Sequence, residues 1–238
     1  MNLLRYLPES WKVSLRRRAG VVTQQDRLQN LRRAGFEPTH ILDGGAYRGE
    51  WAAMARTVFP TAQLLLVEPQ PSLQAALQAR CQLLGRAAVA AVALGRTPGE
   101  ATFLLEETNS RIVGGPDRAP ATPDRITVPV GTLAELLPAH GFTARSLLKL
   151  DLQGGELEAL AGAGDWFGKC EVILAEVSWL RIGPVPLMGE VLAALAERGY
   201  VPYDIFGQNY RPLDRALWQT DLLFVRRDSA LIQNLSWA

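Results

Sequence analysis

Four acids in this 238-residue chain each end an apolar run. Asp43 follows Ile41-Leu42, Glu68 follows Leu64 to Val67, Asp151 closes Leu147-Leu148-Lys149-Leu150, and Glu176 follows Val172 to Ala175. A carboxylate delivered at the end of a buried strand can accept hydroxyl hydrogens, face a cation or take up a proton. The first acid also opens a turn, Asp43-Gly44-Gly45-Ala46-Tyr47-Arg48-Gly49, whose glycines let the backbone bend sharply and come close to a ligand. A pyrophosphate-binding turn would read GxGxxG at a helix N-terminus. Here a carboxylate stands where a pyrophosphate would be repelled. Asp43 therefore suits a ligand with a positive end, and Glu68, 25 residues on, suits a ribose diol. A ligand with an ammonium group, a ribose and no phosphate is S-adenosylmethionine.

These acids meet only if successive strands run parallel and end on one edge. The chain reads that way. HILDGG, AQLLLVEP and AAVAAVALG are strands; EWAAMARTVF and PSLQAALQARCQLLG are helices between them, the second with Ser72 as its cap and Gly85 as its stop. EATFLLEE and ITVPV are strands around a long loop, TNSRIVGGPDRAPATPD, of the kind that forms lids. Alternation resumes with TLAELL, SLLKLDLQ, GGELEALAGA, CEVILAEVSW and PLMGEVLAALAERG. YVPYDIF and TDLLFVRR close the chain, joined too briefly for a crossover, so this pair is antiparallel. The expectation is an α/β fold: a Rossmann-like, seven-stranded, mostly parallel sheet over residues 39–238, preceded by a short helical extension over 1–38. The near-continuous apolar runs are those of strands covered on both faces.

Composition narrows the classes. The net charge is +1, so no global field favours nucleic acid. The two cysteines, Cys81 and Cys170, form no CxxC pair, which fits a reducing, cytoplasmic setting. No apolar run reaches membrane-spanning length, and the N-terminus lacks a signal-peptide pattern. Residues 1–40 hold eight basic against three acidic side chains, either a solvated helix face or a patch for a phosphate- or lipid-linked substrate or a membrane surface.

DGGAYRG, VEPQPSL, VALG, SLLKLDLQGGELEALAGA, VILAEVSW and TDLLFVRR resemble the FkbM family of S-adenosylmethionine-dependent methyltransferases over roughly residues 40–228. The first motif marks the broad superfamily, and LKLDLQGGELEAL is the more specific block. The resemblance implies the class I methyltransferase sheet and O-methylation of hydroxyls on sugars, polysaccharides or polyketide-type products. It implies that Asp43, Gly44, Gly45 and Gly49 form the cofactor turn, that Glu68, with Pro69 beside it, holds the ribose, and that Asp151 sits near the transferred methyl. Two positions depart from the family pattern: Gln153, where many relatives have Glu, and Thr132-Leu133-Ala134, where relatives often have Thr-Leu-Asp.

An alcohol acceptor is a poor nucleophile, so a base or a metal should remove its proton. Asp151 and Glu176 are the catalytic candidates. A divalent metal among the acids is an alternative, but nothing in their spacing assigns ligands. Lys149 shares a pleat face with Asp151, as a buried partner or a plain sheet residue. Tyr47 is a candidate to pack on the cofactor, and Asn109, Ser110 and Arg111 to close over it. Glu156 and Glu158 begin a helix, where the dipole explains at least one of them. His40 and His140 read as surface or turn residues, and Trp179 is the tryptophan placed for sugar stacking. The turn after Asp151 lacks the Asn/Asp-Pro-Pro-aromatic pattern of base N-methylation, which favours O-methylation. Two other classes stay open: an NAD-dependent oxidoreductase on a doubly wound sheet, and a methyltransferase-fold protein that binds without catalysis.

Overall fold

The computed structural model of the chain describes residues 22–114, 122–234 and 236–237. The first described helix, α1 (Gln24–Arg33), starts with Thr23 and Asp26 bonding each other's backbone N–H groups, a capping box. Its Leu28 and Leu31, with Phe36 beyond it, are buried in the same core as strand β1 (His40–Gly44). The described part of the 1–38 segment is thus a layer of the main fold. The expected helices before residue 22 lie outside the described residues.

The chain continues through α2 (Glu50–Val58), β2 (Gln63–Val67), α3 (Gln74–Leu84) and β3 (Ala87–Ala90). A single 3₁₀ turn, Pro71–Leu73, precedes α3, so Ser72 sits inside that turn and does not cap the helix. Gly85 does end it. The expected third strand is split. β3 stays in the main sheet as a half-buried edge, and after a bend at Val92 the two-residue β4 (Ala93–Leu94) pairs elsewhere.

β4 belongs to a second, four-stranded sheet with β5 (Gly99–Leu104), β6 (Arg111–Gly114) and β7 (Arg125–Gly131), in the order β4-β7-β5-β6. The long loop expected after β5 is therefore partly strand: Arg111–Gly114 pairs antiparallel with β5. Its own small core is Ala93, Phe103 and Val128.

Then come α4 (Leu133–Ala139), β8 (Ser146–Leu150), α5 (Glu156–Ala161), β9 (Val172–Ser178), α6 (Met188–Glu197), β10 (Tyr200–Tyr210) and β11 (Leu217–Arg226). The main sheet has seven strands in the order β10-β11-β9-β8-β1-β2-β3. β11 is antiparallel to both its neighbours, and the other pairings are parallel. Every residue of β1 and β8 is buried, as strands covered on both faces must be. One apolar cluster fills each side: Leu42, Leu148, Leu150 and Ile173 on one, Ile41, Leu147, Leu174 and Leu223 on the other. The strand order reverses between β1 and β8, where a crevice opens beyond the strand ends.

Candidate active site

The crevice is built on Lys149. Its ammonium lies 3.2 Å from Asp43 Oδ1 and 3.4 Å from Asp151 Oδ2, and it donates to the carbonyls of Gly44 and Gly45 at 3.2 and 3.1 Å. Register makes this possible: Asp43 and Lys149 are partners across β1 and β8, on one face. Burial would lower the lysine, but Asp43 and Asp151 outweigh it and hold it charged above its ordinary range. The other Asp43 oxygen accepts from Ala52 N in the first turn of α2, 3.1 Å away. Burial raises the Asp43 carboxyl and Lys149 pulls it back. The cation that Asp43 meets is therefore Lys149. Its carboxylate lies beneath the turn and lines neither cavity described below.

Gly45 locks the turn to the end of β8: a Cβ there would come within 2.0 Å of the Asp151 carbonyl oxygen. Gly44 packs beside the Lys149 carbonyl, and Gly49 is the left-handed N-cap of α2. Glu68, almost fully buried, accepts from Tyr47 N at 2.9 Å and from Gln70 N at 3.1 Å, one through each oxygen. Burial raises its carboxyl, and those two N–H donors oppose the rise. Each oxygen keeps a lone pair for a hydroxyl hydrogen.

Two cavities, of about 160 and 100 Å³, share Gly45, Glu68, Ser110, Asp151 and Gln153. The larger has an apolar wall of Val92, Leu94, Phe103 and Ile112, supplied mostly by the second sheet, with Pro69 at its rim. The smaller is polar and is lined also by Tyr47, Gln70, Glu107 and Thr108. Five non-glycine residues among those described have positive φ, and three of them, Tyr47, Glu107 and Gln153, line this one cavity. Side-chain-bearing residues held in that region concentrate where geometry serves a ligand. Ser110 fastens its own 3₁₀ turn, donating to Glu107 O and accepting from Glu106 N, while Arg111 pairs with Glu106. Asn109 ends that turn.

Gln153 joins the cavities to Glu176. Its Nε2 donates to Asp151 Oδ1 at 2.8 Å and to Glu176 Oε2 at 3.3 Å. Gln219, from β11, donates to the same Glu176 oxygen at 2.9 Å. Burial, with the like charges of Asp151, Asp221 and Glu156, pushes Glu176 up to about 9. In the ligand-free site these surroundings favour the protonated form of Glu176.

Glu156 does more than favour a helix dipole. It is buried, and its Oε1 accepts from Leu152 N at 2.8 Å and Gly154 N at 3.3 Å, holding the turn that carries Gln153. Burial pushes it up to about 7. Glu158 is exposed in a two-pronged pair with Arg96. His40 is not a surface residue: it is buried against Phe142, on the edge of the sheet away from the crevice, and shares a shallow pocket with His140. Thr132 caps α4 through Glu135, so that turn keeps an acid at a different position. Trp179 is 39% exposed and donates to Thr220 Oγ1 at 2.9 Å. Among the described residues, no three His, Cys, Asp or Glu side chains are grouped to hold a metal ion, and no helix is long and apolar enough to cross a membrane. Spacing along the sequence did not show Gln219, Asp221 or Gln24 as part of this edge.

The family model described as Methyltransferase FkbM domain matches residues 43–202. The fold superposes on methyltransferase FkbM from Methylobacillus flagellatus KT with a TM-score of 0.50 and 17% identity, covering 78% of this chain and 43% of that one. Magnesium protoporphyrin IX methyltransferase (ChlM) from Synechocystis PCC 6803, with bound SAM, gives 0.49 and 10%, over 95% of this chain and 85% of that one. Precorrin-6y C5,15-methyltransferase from Geobacter metallireducens GS-15 gives 0.48 and 10%, over 87% and 90%. The chain spans less than half the length of the first. The likeness is one of fold, that of the class I S-adenosylmethionine-dependent methyltransferases. No curated protein matches.

Proposed function

The chain belongs to the FkbM methyltransferase family, and on that footing we propose that it transfers a methyl group from S-adenosylmethionine to a hydroxyl oxygen of a sugar, glycan or natural product. The observation that carries the cofactor reading is the placing of Glu68 between the two cavities. An almost fully buried carboxylate there keeps acceptor capacity for a diol beside an apolar wall whose chemistry suits a planar base. Asp151 lines both cavities as well, and a cationic group would lie against it.

When bound, S-adenosylmethionine supplies an already electrophilic methyl on a sulfonium sulfur. The residues of the chain then have three tasks. Glu68 and the apolar wall orient the nucleoside end. Lys149 fixes the strand ends, so that Asp43 holds the turn and Asp151 faces the crevice. Glu176, in its ionised form, takes the acceptor hydroxyl's proton on Oε1, since Oε2 is already occupied by the amides of Gln153 and Gln219.

The acceptor class is read from the family, the hydroxyl chemistry of Glu176 and the exposed indole of Trp179, whose face suits a sugar ring. A phosphate- or lipid-linked acceptor, or contact with an anionic membrane surface, would draw on the basic residues of 1–40. Arg27 and Arg32 are already paired with Asp204 and Glu37, and Lys12, Arg16, Arg17 and Arg18 lie outside the described residues. The near-neutral net charge and the wide separation of Cys81 and Cys170 support a cytoplasmic enzyme without nucleic-acid substrates.

The test is S-adenosylhomocysteine release in the presence of a panel of free sugars, nucleotide sugars and polyphenols. Glu176→Gln is expected to keep S-adenosylmethionine binding and lose turnover at least a hundredfold, within the usual range for removing an acid–base group. Normal turnover in that variant removes Glu176 from the role.

A further inference from the structure

One half-buried acid at this edge has no part in that scheme. Asp221 stands on β11 directly across a rung from Glu176. Because β11 runs antiparallel to β9, its beginning lies at the edge where β9 ends, and rung partners project from the same face. A half-buried acid set among other acids is ordinarily met by a cation. Among the described residues Asp221 makes no ion pair. It is met instead by a neutral amide: Gln24, the first residue of α1, donates from Nε2 to Asp221 Oδ2 at 2.6 Å. A third element is shaped around the same oxygen. β10 slips register between Phe206 and Asn209, and Gly207, inside the slip, has φ +63°. A Cβ there would come within 2.2 Å of Asp221 Oδ2. Three separate elements therefore hold a carboxylate that no cation among the described residues pairs with, beside the proposed base.

We propose that Asp221 is a positioning residue for methyl transfer: held by Gln24 on the rung it shares with Glu176, it keeps the proton on Glu176 and makes that carboxylate a stronger base once ionised. The inference rests on the assignment of Glu176 above. The charged surroundings agree with it. β8 brings Asp151 and Lys149, the lysine already committed to Asp43 on β1; α5 brings Glu156; and the nearest cation of α1, Arg27, is bound to Asp204 at 3.2 Å. Burial pushes Asp221 up to about 6, with the Gln24 bond opposing the rise, Asp151 adding to it and the more distant charge of Lys149 opposing it. Two like carboxyls on one rung do not ionise together easily, so each raises the proton affinity of the other.

The experiment is a ¹³C-carboxyl NMR titration of the ligand-free full chain, with the Glu176 signal identified by its absence in Glu176→Gln. Asp221→Asn is expected to lower the Glu176 midpoint by about one pH unit or more, the usual size of a close charge effect. Asp221→Ser carries the test if Asp221→Asn does not fold. Gln24→Ala leaves Asp221 ionised at the pH where Glu176 titrates, so it is expected to leave the midpoint in place and serves as the control for a loosened edge. A Glu176 midpoint that stays put in the folded Asp221 variant overturns the proposal, because a purely structural Asp221 would change melting and leave the titration alone. A midpoint that falls as expected, with normal turnover in Glu176→Gln, upholds the coupling and overturns the base assignment instead.

Discussion

Lys149 Nζ lies 3.2 Å from Asp43 Oδ1 beneath the turn that joins β1 to α2, and the same ammonium reaches Asp151 and two turn carbonyls. Removing the cation strands a buried charge. Lys149→Met is expected to destabilise the fold by about 3–5 kcal/mol, the usual cost of breaking a buried pair from one side. Lys149→Met combined with Asp43→Asn should recover part of that loss, because the second change removes the orphaned carboxylate. Urea unfolding of the two variants measures both effects, and equal stability would mean that the pair is not coupled.

Asp43 and Glu68 both bear on cofactor binding, by different routes. Glu68→Ala should fold and lose S-adenosylhomocysteine affinity by tenfold or more, since a hydrogen bond to a charged group contributes about 1.5–3 kcal/mol. Asp43→Ala should lose affinity together with stability, because that carboxylate holds Lys149 and the first turn of α2 without lining a cavity. Calorimetry beside thermal melts separates the two routes.

Gln153 ties Asp151 to Glu176 from a left-handed backbone position, φ +53°. Gln153→Gly relieves the backbone and deletes the bridge, so it should melt no lower than wild type by more than about 1 kcal/mol, the penalty of glycine's added freedom, yet turn over at least tenfold more slowly. Unchanged turnover would show that the amide bridge does no more than fill space.

Glu156 makes stability depend on pH. Its folded value, about 7, lies above the ordinary 4.5, so the folded state holds a proton that the unfolded state has released. That contribution is full below about 4.5 and is lost as pH rises through 7. Glu156→Gln keeps an Oε1 acceptor for Leu152 N and Gly154 N and has no charge to lose. Denaturation at pH 5 and pH 8 should show wild type losing on the order of 2 kcal/mol from this group, a loss the variant lacks.

Much of this architecture is written in local pattern. Continuous apolar runs mark β1, β2, β8 and β9, and the brief last connection marks the antiparallel end of the sheet. Two things escaped, for physical reasons. AAVAAVALG is uniformly apolar, so nothing in it signals that Ala87–Ala90 and Ala93–Leu94 join different sheets; only partners distant in sequence decide that. Gln219 and Asp221 precede an apolar run where the other acids follow one. An antiparallel strand brings its start to the shared edge, so the antiparallel reading of the last pair already contained the signal. Gln24 had no such signal, because its contact spans 197 residues.

Calorimetry of the full chain against S-adenosylmethionine and NADH tests the central claim most directly. The account predicts that S-adenosylmethionine binds, that Glu68→Ala weakens that binding by about tenfold or more, and that NADH gives no heat of binding. Tight NADH binding without S-adenosylmethionine binding would contradict it.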